Sequence, residues 1–449
     1  MRNNRFLMWI PGALFLLAAV QAHAILPIQH WQTTSGARVY FVENRDLPMF
    51  DLSVEFPAGA GYDTRDKSGA ASMTNQMLRL GAGGMGENEI ARQLADVGAQ
   101  LSPRFDADRA GLALRTLSSA SERRQALDIF VRILQRPEFI ETVLEREKVR
   151  LISALKEADT KPETVVALTF YRLAYRQHPY ALRSSGEVET VSRLTRQDLV
   201  DFYRGHYIAR RAVVAIIGNL SRDEAAAIAE EATAGLPQSD AAEPSLPAVA
   251  ALTAGSTRFI ANPASQSHIL IGAPGMRRDD PDYFPLFVGN HVLGGGGFVS
   301  RLVEEVRQKR GLAYSVYSYF SPLQRQGPFL IGMQTKREQA PEALAVVQKT
   351  LRDFVVDGPT EKELAAAKQN IIGSFPLRID SNRKIHEYLA LIGFYHLPLS
   401  YLDDFVKNVE RVTVADVKSA FARHVHMDKL VTVVVGAAND QTVTSRSEN

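Results

Sequence analysis

The chain has 449 residues, of which 45% are hydrophobic and 23% are charged, with a formal net charge of +2 and no cysteine. This length exceeds one ordinary hydrophobic core, so we expect at least two globular domains of a soluble protein. Because cysteine is absent, disulfides, thiolate metal ligands and a cysteine nucleophile are excluded.

The first 24 residues have the pattern of a signal peptide. Arg2 and Arg5 precede an apolar run over residues 6 to 20, and Ala22-His23-Ala24 supplies a small-x-small cleavage pattern. We expect export with cleavage after residue 24. The alternative is an uncleaved anchor, which Pro11 and the shortness of the run disfavour. Cleavage removes both arginines and takes the charge from +2 to zero, which argues against a nucleic-acid partner.

An alternating strand pair is predicted near the start of each half of the chain, over residues 37–46 with 49–61 and over residues 257–265 with 267–276. Helices and a returning strand follow each pair. This order predicts an α+β fold of two tandem homologous α/β units, each a mainly antiparallel sheet with helices on one face.

The ends of the two halves repeat each other. Residues 191 to 218 align without a gap against residues 409 to 436 at a constant offset (413 − 195 = 218), so that Thr195 pairs with Thr413. In each copy a threonine is followed three residues later by an acid, which is a helix N-cap signature, and a β-branched run ending in glycine comes next. Each half is therefore predicted to close with a capped helix and a buried strand. The second of these strands, near residues 430 to 435, is the most apolar segment after the signal peptide and is too short to span a membrane.

Residues 235 to 251 contain three prolines and no hydrophobic periodicity, which is typical of a linker. We place an N-terminal unit at 25–234, the linker at 235–251, a C-terminal unit at 252–440 and a polar tail at 441–449.

The most informative stretch is LGGGGFVSRLVEEVRQKRGLAY, residues 293 to 314. Its glycines can adopt positive φ and lie close to a partner or an extended substrate, and we interpret them as a contact loop: Gly294, Gly295, Gly296 and Gly297. An amphipathic helix is expected to follow and to lead to Arg307 and Tyr314, which can present a fixed charge and a hydroxyl to a carbonyl or an oxyanion. The alternative is a solvated arginine and a tyrosine whose ring lies in the core.

This segment resembles the C-terminal half of the pitrilysin/insulinase family of zinc peptidases, which includes the mitochondrial processing peptidase and paired bacterial periplasmic peptidases. The resemblance covers nearly all of the chain after the signal peptide. It implies tandem units that face each other across a cavity, which agrees with the duplication. It also implies that Arg307 and Tyr314 help to hold the substrate carbonyl, while the zinc lies on the other half of the active site.

The zinc ligands that the resemblance implies are missing from this chain. In the family's catalytic subunits a helix carries His, two spacers, Glu and His, and a later helix carries a third ligand, Glu. Ser72, Asn75 and Gln76 stand at the first three positions and Ala154 at the last, although the surrounding Glu-Arg-Glu-Lys run is present. Neutral serine, asparagine and glutamine bind zinc poorly, and none of them can act as a general base. We therefore expect no metal on this chain.

Other catalytic patterns give no better site. There is no Gly-x-Ser-x-Gly elbow, and the glycine run is followed by neither Gly-Lys-Ser/Thr nor G-x-G-x-x-G, which argues against a serine hydrolase and a phosphate loop. The histidine groups His386/His396 and His424/His426 are interpreted as structural or solvated, and His178 as part of a turn.

The sequence thus predicts a non-zinc subunit of a heterodimeric periplasmic metallopeptidase, inactive alone. A related subunit is expected to supply the zinc and the general base, and this chain the Arg307/Tyr314 pair that stabilises the carbonyl of a peptide substrate. Two alternatives remain: an inactive peptide-binding or assembly protein of the same fold, and a self-sufficient hydrolase with an unrecognised site.

Overall fold

A computed structural model describes residues 27–437 of the chain. The predicted signal peptide, residues 1–24, and the predicted tail, residues 441–449, lie outside the described residues. Across residues 27–437, none of the helices is both long enough and apolar enough to cross a bilayer.

The N-terminal unit contains eight strands and eight α-helices among the described residues. The strands are β1 Gln29–Gln32, β2 Arg38–Glu43, β3 Met49–Phe56, β4 Gly81–Ala82, β5 Met85–Gly86, β6 Gln100–Phe105, β7 Ala110–Leu117 and β8 Val213–Gly218. The helices are α1 Ala70–Met77, α2 Glu87–Asp96, α3 Ala120–Gln135, α4 Glu141–Ala158, α5 Pro162–Tyr175, α6 Val188–Arg193, α7 Arg196–His206 and α8 Arg222–Ala234.

The C-terminal unit begins after a stretch from residue 235 to 255 that contains no helix or strand. Its strands are β9 Ser256–Ala261, β10 Gln266–Pro274, β11 Ala313–Phe320, β12 Pro328–Lys336 and β13 Val431–Ala437. Its α-helices are α9 Tyr283–Asn290, α10 Ala340–Asp357, α11 Glu361–Ser374, α12 Asn382–Phe394, α13 Tyr401–Arg411 and α14 Val414–His424.

Each unit is built on one mainly antiparallel sheet, as predicted. The strand order is β1-β2-β8-β3-β7-β6 in the first and β11-β12-β10-β13-β9 in the second. The predicted strand pairs at the start of each half are wrong in one respect, because β2 and β3 are not neighbours: β8 lies between them, parallel to β2 and antiparallel to β3. In the second unit β13 separates β9 from β10 in the same way. The returning strand is almost entirely apolar, so the centre of the sheet is where both of its faces can be buried.

The predicted duplication is confirmed in detail. Thr195 and Thr413 both cap a helix through a capping box. The threonine side chain accepts from the backbone N–H three residues on, and the carboxylate of that residue accepts from the backbone N–H of the threonine. Gly218 and Gly436 both have positive φ, 146° and 104°, as β8 and β13 leave their sheets. The two halves therefore fold by the same local rules.

One face of each sheet is covered by a helix from the other half of the chain. Phe170 and Ala174 of α5 pack in one cluster with Val433 of β13. Conversely, α12 lies on β8 and β2, where Gly393 comes so close to Tyr40 that a Cβ would lie 2.6 Å from its ring. Because each sheet needs the other half's helix to bury its face, the two units are mutually dependent.

A buried carboxylate joins the units where they touch. Asp108, in the turn between β6 and β7, accepts hydrogen bonds from the hydroxyls of Tyr180 and Tyr395, the latter at 2.8 Å. The backbone N–H of Gln324 donates to the same carboxylate at 2.7 Å. Burial raises the pKa of Asp108, while these donors lower it. Tyr395 and Gln324 belong to the C-terminal unit, so Asp108 ties the two halves together.

Candidate functional site

The glycine run packs against its own unit before it reaches the surface. Helix α9 continues into a π-helical turn, His291–Gly295. Gly294 is buried, and a Cβ there would lie 2.6 Å from the backbone nitrogen of Ser318 in β11. Gly297 differs: its φ is 62°, and the space around it is open. The close approach that the run was expected to permit is therefore made, at Gly294, to a strand of the same chain, and only Gly297 has the positive φ.

The helix after the glycine run is short and ends in a turn that brings Tyr314 back to Arg307. It includes a π-helical stretch, Val303–Gln308. Val306 is fully buried on its inner side, and Arg307 follows at the edge of that face. Gly311, with φ of 64°, donates its N–H to the Arg307 carbonyl at 3.0 Å and reverses the chain into β11. Helix, glycine turn and strand thus place two residues seven apart in sequence side by side in space.

Arg307 and Tyr314 are in contact at the surface. The guanidinium carbon of Arg307 lies 5.3 Å from the centre of the Tyr314 ring, and the Tyr314 side chain is 78% exposed. The ring therefore does not lie in the core, which removes that alternative. Tyr314 stands at a bulge in β11, where the pairing with β12 shifts between Ala313 and Ser315. A bulge of this kind re-aims a side chain away from its neighbours on the strand.

Tyr317 and Tyr319 lie further along β11 and line a separate groove between the two units. This groove has a volume of about 530 Å³ and is bounded on the other side by Glu163 and Tyr171 of α5. The two β11 tyrosines stack on each other with centroids 6.0 Å apart. The sequence pattern also allows Tyr317 and Tyr319, which alternate with Tyr314 on the strand, to line the cavity. In the structure Arg307 contacts Tyr314, while Tyr317 and Tyr319 face the inter-unit groove.

The positions expected to hold zinc are committed to other hydrogen bonds. On α1, the Asn75 amide donates to the carbonyl of Gly111 at 2.9 Å and to the hydroxyl of Tyr207 at 3.3 Å. The neighbouring Gln76 amide donates to Glu147 of α4 at 2.8 Å. Ser72 is partly exposed on the same helix. These amides act as donors here, which is the opposite of what a cation requires.

The fourth position, Ala154, lies on α4. Ala154 is exposed and follows Glu147 by seven residues, so the two share a helix face two turns apart. Glu147 is only 5% exposed and is neutralised by Arg146 and Arg150, at 2.8 and 2.9 Å. Serine, asparagine, glutamine and alanine at these four positions do not form a donor set that fits zinc.

Helix α1 itself is fixed by a buried carboxylate. Asp63 accepts from the backbone N–H groups of Gly69 and Ala71, at 2.7 and 2.8 Å, at the start of the helix. Burial raises its pKa to about 7, against the lowering effect of these two donors. The helix that carries Ser72, Asn75 and Gln76 is thus anchored independently of any metal.

The histidines have structural environments. His386 is buried on α12 with its ring nitrogen 3.2 Å from the carbonyl of Ala215, and His178 caps a short 3₁₀ turn. Among residues 27–437, one group could bring three ligand atoms together: Asp280, Asp282 and His424. The Asp282 carboxylate is already held by two bonds from Arg423, at 2.7 and 2.8 Å. A guanidinium in that position competes directly with a cation, so we assign no metal site there.

Two contacts of the site could not be derived from sequence spacing. Phe298, at the tip of the turn after the glycines, places its ring 5.0 Å from the Arg307 guanidinium carbon. Glu147 reaches Gln76 across 71 residues. For Phe298, the sequence shows only a large apolar residue directly after a glycine run. Its spacing from Arg307 does not indicate that the two side chains meet.

Comparisons with known proteins agree on one family. The family profile described as "Insulinase (Peptidase family M16)" matches residues 39–186, and the profile described as "Peptidase M16 inactive domain" matches residues 193–371. A solved structure described as a peptidase M16 inactive domain from Pseudomonas fluorescens superposes with a TM-score of 0.88 at 38% identity, covering 92% of this chain and 99% of that one.

Two further relatives are informative. "Non-peptidase homolog YmxG" of Helicobacter pylori is 26% identical over 404 residues, which is 88% of this chain and 91% of that protein. The periplasmic protease PqqL of Escherichia coli has a similar fold, with a TM-score of 0.78 at 15% identity. That match covers 92% of this chain but only 46% of PqqL.

Proposed function

The chain belongs to the insulinase family of peptidases, family M16, and from this premise we propose that it is the non-zinc subunit of a two-chain metallopeptidase. Its partner is a related subunit with an intact His-x-x-Glu-His helix. This chain supplies Arg307 and Tyr314 to the substrate carbonyl. The proposal places the mature protein in the periplasm, on the strength of the signal-peptide pattern in residues 1–24.

The observation that carries the proposal is the contrast between the two candidate sites on one chain. On α1, the side-chain amides of Asn75 and Gln76 are occupied by hydrogen bonds to other groups of the chain. The Arg307/Tyr314 pair stands at the surface, with the tyrosine 78% exposed. A chain with only the second set has donors for a developing oxyanion but no group to activate water.

The catalytic groups of a zinc peptidase can be divided between two subunits. Zinc on the partner lowers the pKa of a bound water and polarises the scissile carbonyl. A guanidinium and a phenol hydroxyl aimed at the same oxygen stabilise the charge that develops there, and removing one such donor typically costs about 10²- to 10³-fold in rate. Neither half is sufficient, so activity depends on association.

The fold similarity to PqqL supports this division. The present chain matches less than half of that protease, so a second pair of units is needed to match its whole length. In the proposed complex the partner subunit takes the place of that second pair.

The test is reconstitution. The mature chain is purified alone, mixed with a candidate M16 subunit that has the intact zinc motif, and followed by size-exclusion chromatography and by cleavage of a quenched fluorogenic peptide. We expect no cleavage by this chain alone, a stable complex after mixing, and cleavage by the complex that a chelator abolishes. Cleavage by the homogeneous single chain after chelator treatment would overturn the proposal in favour of a self-sufficient hydrolase.

A second candidate function is favoured by the relative named a non-peptidase homolog. On that view the chain binds peptides or takes part in assembly without catalysing anything. The same experiment separates the two. A complex that forms but cleaves no faster than the zinc subunit alone supports the non-peptidase role.

A further inference from the structure

We infer that Phe298 is a positioning residue for Arg307, and that the glycine run exists in part to place its ring on the guanidinium. The inference rests on the proposed function of Arg307. It adds a residue whose contribution acts through the arginine.

Two aromatic rings lie close to the same guanidinium. The Arg307 guanidinium carbon lies 5.0 Å from the Phe298 ring centre and 5.3 Å from the Tyr314 ring centre. Both distances lie within the range over which a ring face attracts a guanidinium. The two rings come from different elements, one from the turn after the glycines and one from β11, so only the folded unit brings them to the same side chain.

The turn that carries Phe298 is braced at both ends. The Ser300 hydroxyl, on a buried side chain, donates to the Gly297 carbonyl at 2.7 Å. The Gln308 amide donates to the Phe298 carbonyl at 2.9 Å. Gln308 is the residue after Arg307, so the turn is fastened to the same helical segment that carries the arginine. Gly297 supplies the positive φ that lets the chain make this turn.

Neighbouring arginines are held in a different way. Arg301 forms a two-bonded ion pair with Glu363, at 2.6 and 2.7 Å, and Arg310 is paired with Glu305 at 2.6 Å. Among the ion pairs of residues 27–437, none involves Arg307. Its positional restraint comes from ring faces.

This difference has a chemical consequence. A carboxylate would occupy the N–H groups that a substrate oxygen needs, whereas attraction to an aromatic ring does not require a carboxylate acceptor on those groups. The exposure of Phe298, 67%, is then explained: its ring is placed for the arginine and not for the core. An arginine with free donors and restricted orientation is suited to bind an oxyanion with little reorganisation.

The first test uses this chain alone. The Nε–Hε resonance of Arg307, in protein labelled with ¹⁵N-arginine and assigned by Arg307→Lys, reports the ring currents of its neighbours. We expect a clear shift of this resonance in Phe298→Leu, which keeps apolar bulk but has no ring face, and near-native behaviour in Phe298→Trp. Val299→Ala, at a neighbour that is also exposed, is the matched control and should leave the resonance in place. An unchanged resonance in Phe298→Leu would overturn the inference.

The second test uses the reconstituted pair. We expect Phe298→Leu to lower kcat about five-fold, with the Michaelis constant little changed, and Phe298→Trp to restore the rate. If Arg307→Ala leaves the pair fully active, the proposed function of Arg307 fails, whatever Phe298 does. If Arg307→Ala is inactive but Phe298→Leu matches the wild type, only the positioning role of Phe298 is wrong.

Discussion

The side-chain amide of Gln76 donates a 2.8 Å hydrogen bond to the carboxylate of Glu147, joining α1 and α4 at the place where an M16 catalytic subunit would be expected to gather its zinc ligands. The contact links the two helices directly through their own side chains. Because Glu147 also accepts from Arg146 and Arg150, its charge is balanced without a cation. The contact between α1 and α4 therefore depends on hydrogen bonds among these side chains.

The first prediction concerns metal binding. The purified chain should contain no stoichiometric zinc by elemental analysis, because Ser72, Asn75, Gln76 and Ala154 offer no imidazole or carboxylate. The combined variant Ser72→His, Gln76→His and Ala154→Glu should gain a zinc site. One tightly bound zinc per wild-type chain would contradict this prediction.

A matched control for the engineered zinc site moves only the introduced glutamate on α4. The variant Ser72→His, Gln76→His and Ser153→Glu places the new carboxylate one residue earlier, about 100° around α4 from the required face. We expect it to bind zinc about tenfold more weakly or worse than the Ala154→Glu variant.

The second prediction concerns the Arg307/Tyr314 pair. In the reconstituted peptidase, Arg307→Ala should lower kcat by about 10²- to 10³-fold, since it removes a donor to the developing oxyanion. Tyr314→Phe should lower kcat in the same direction without unfolding the chain, because its hydroxyl is at the surface. The measurement is steady-state cleavage of a fluorogenic peptide, together with thermal unfolding of each variant.

Arg310→Ala and Tyr317→Phe are the controls for that experiment. Arg310 is engaged with Glu305, and Tyr317 lines the other groove, so neither contacts the pair. Both variants should retain near-native kcat. Full activity of the double variant Arg307→Ala, Tyr314→Phe would show that the oxyanion role is wrong.

The third prediction concerns the junction at Asp108. Asp108→Ala leaves two tyrosine hydroxyls and a backbone N–H without their acceptor inside the protein, and we expect it to lower the free energy of unfolding by about 3 kcal/mol or more. Denaturant unfolding followed by circular dichroism measures the change. Asp96→Ala, which breaks only the exposed pair with Arg92, should change stability by about 0.5 kcal/mol or less. Equal stability of the two variants would contradict the role of Asp108.

The fourth prediction concerns acid sensitivity. Burial lowers the pKa of His386 to about 4 from 6.5, helped by Arg104 and Arg115 and opposed by Asp51. Between these pKa values His386 is protonated in the unfolded chain but neutral in the folded chain. The free energy of unfolding therefore falls as the pH drops from about 6.5 towards 4. This residue alone can account for a loss of at most about 3 kcal/mol.

The variant His386→Gln isolates that effect. Its amide can still donate to the Ala215 carbonyl but does not titrate. We expect the difference in unfolding free energy between wild type and variant to change steadily over this pH range, with the wild type losing more stability. Buried Glu55, Asp63 and Asp108 have raised pKa values and act in the opposite direction in both proteins, so they cancel in the difference. A difference that stays constant with pH would rule out His386 as a titrating group.

Much of the local structure could be derived from the sequence because it depends on short-range rules. The capping boxes at Thr195 and Thr413 need only a threonine and an acid three residues apart, and both helices begin there. The buried strands β8 and β13 follow from apolar β-branched runs ending in glycine. The duplicated pattern and the loss of ligand types at Ser72, Asn75, Gln76 and Ala154 needed no coordinates, because residue identity alone decides which side chains can bind zinc.

Strand neighbours and helix placement required the tertiary structure. Nothing local distinguishes a β2–β3 hairpin from a sheet in which β8 enters between these strands, because that choice depends on burying the most apolar strand on both faces. Likewise, α5 and α12 have apolar faces that fit either unit, and only the assembled chain shows that each covers the sheet of the other half.

At the site, the sequence by itself determined which side chains stand at the expected ligand positions and which two residues could serve a partner. Ser72, Asn75, Gln76 and Ala154 offer no imidazole or carboxylate, and an arginine and a tyrosine stand seven residues apart. The tertiary structure decided that Tyr314 is exposed and that its ring contacts Arg307. It also decided that Phe298, in the turn after the glycine run, contacts the same guanidinium. The physical reason is that residue type fixes what a side chain can bind. The orientation of a side chain depends on the folded backbone, here on the bulge at Tyr314, the turn at Gly311 and packing between separate segments.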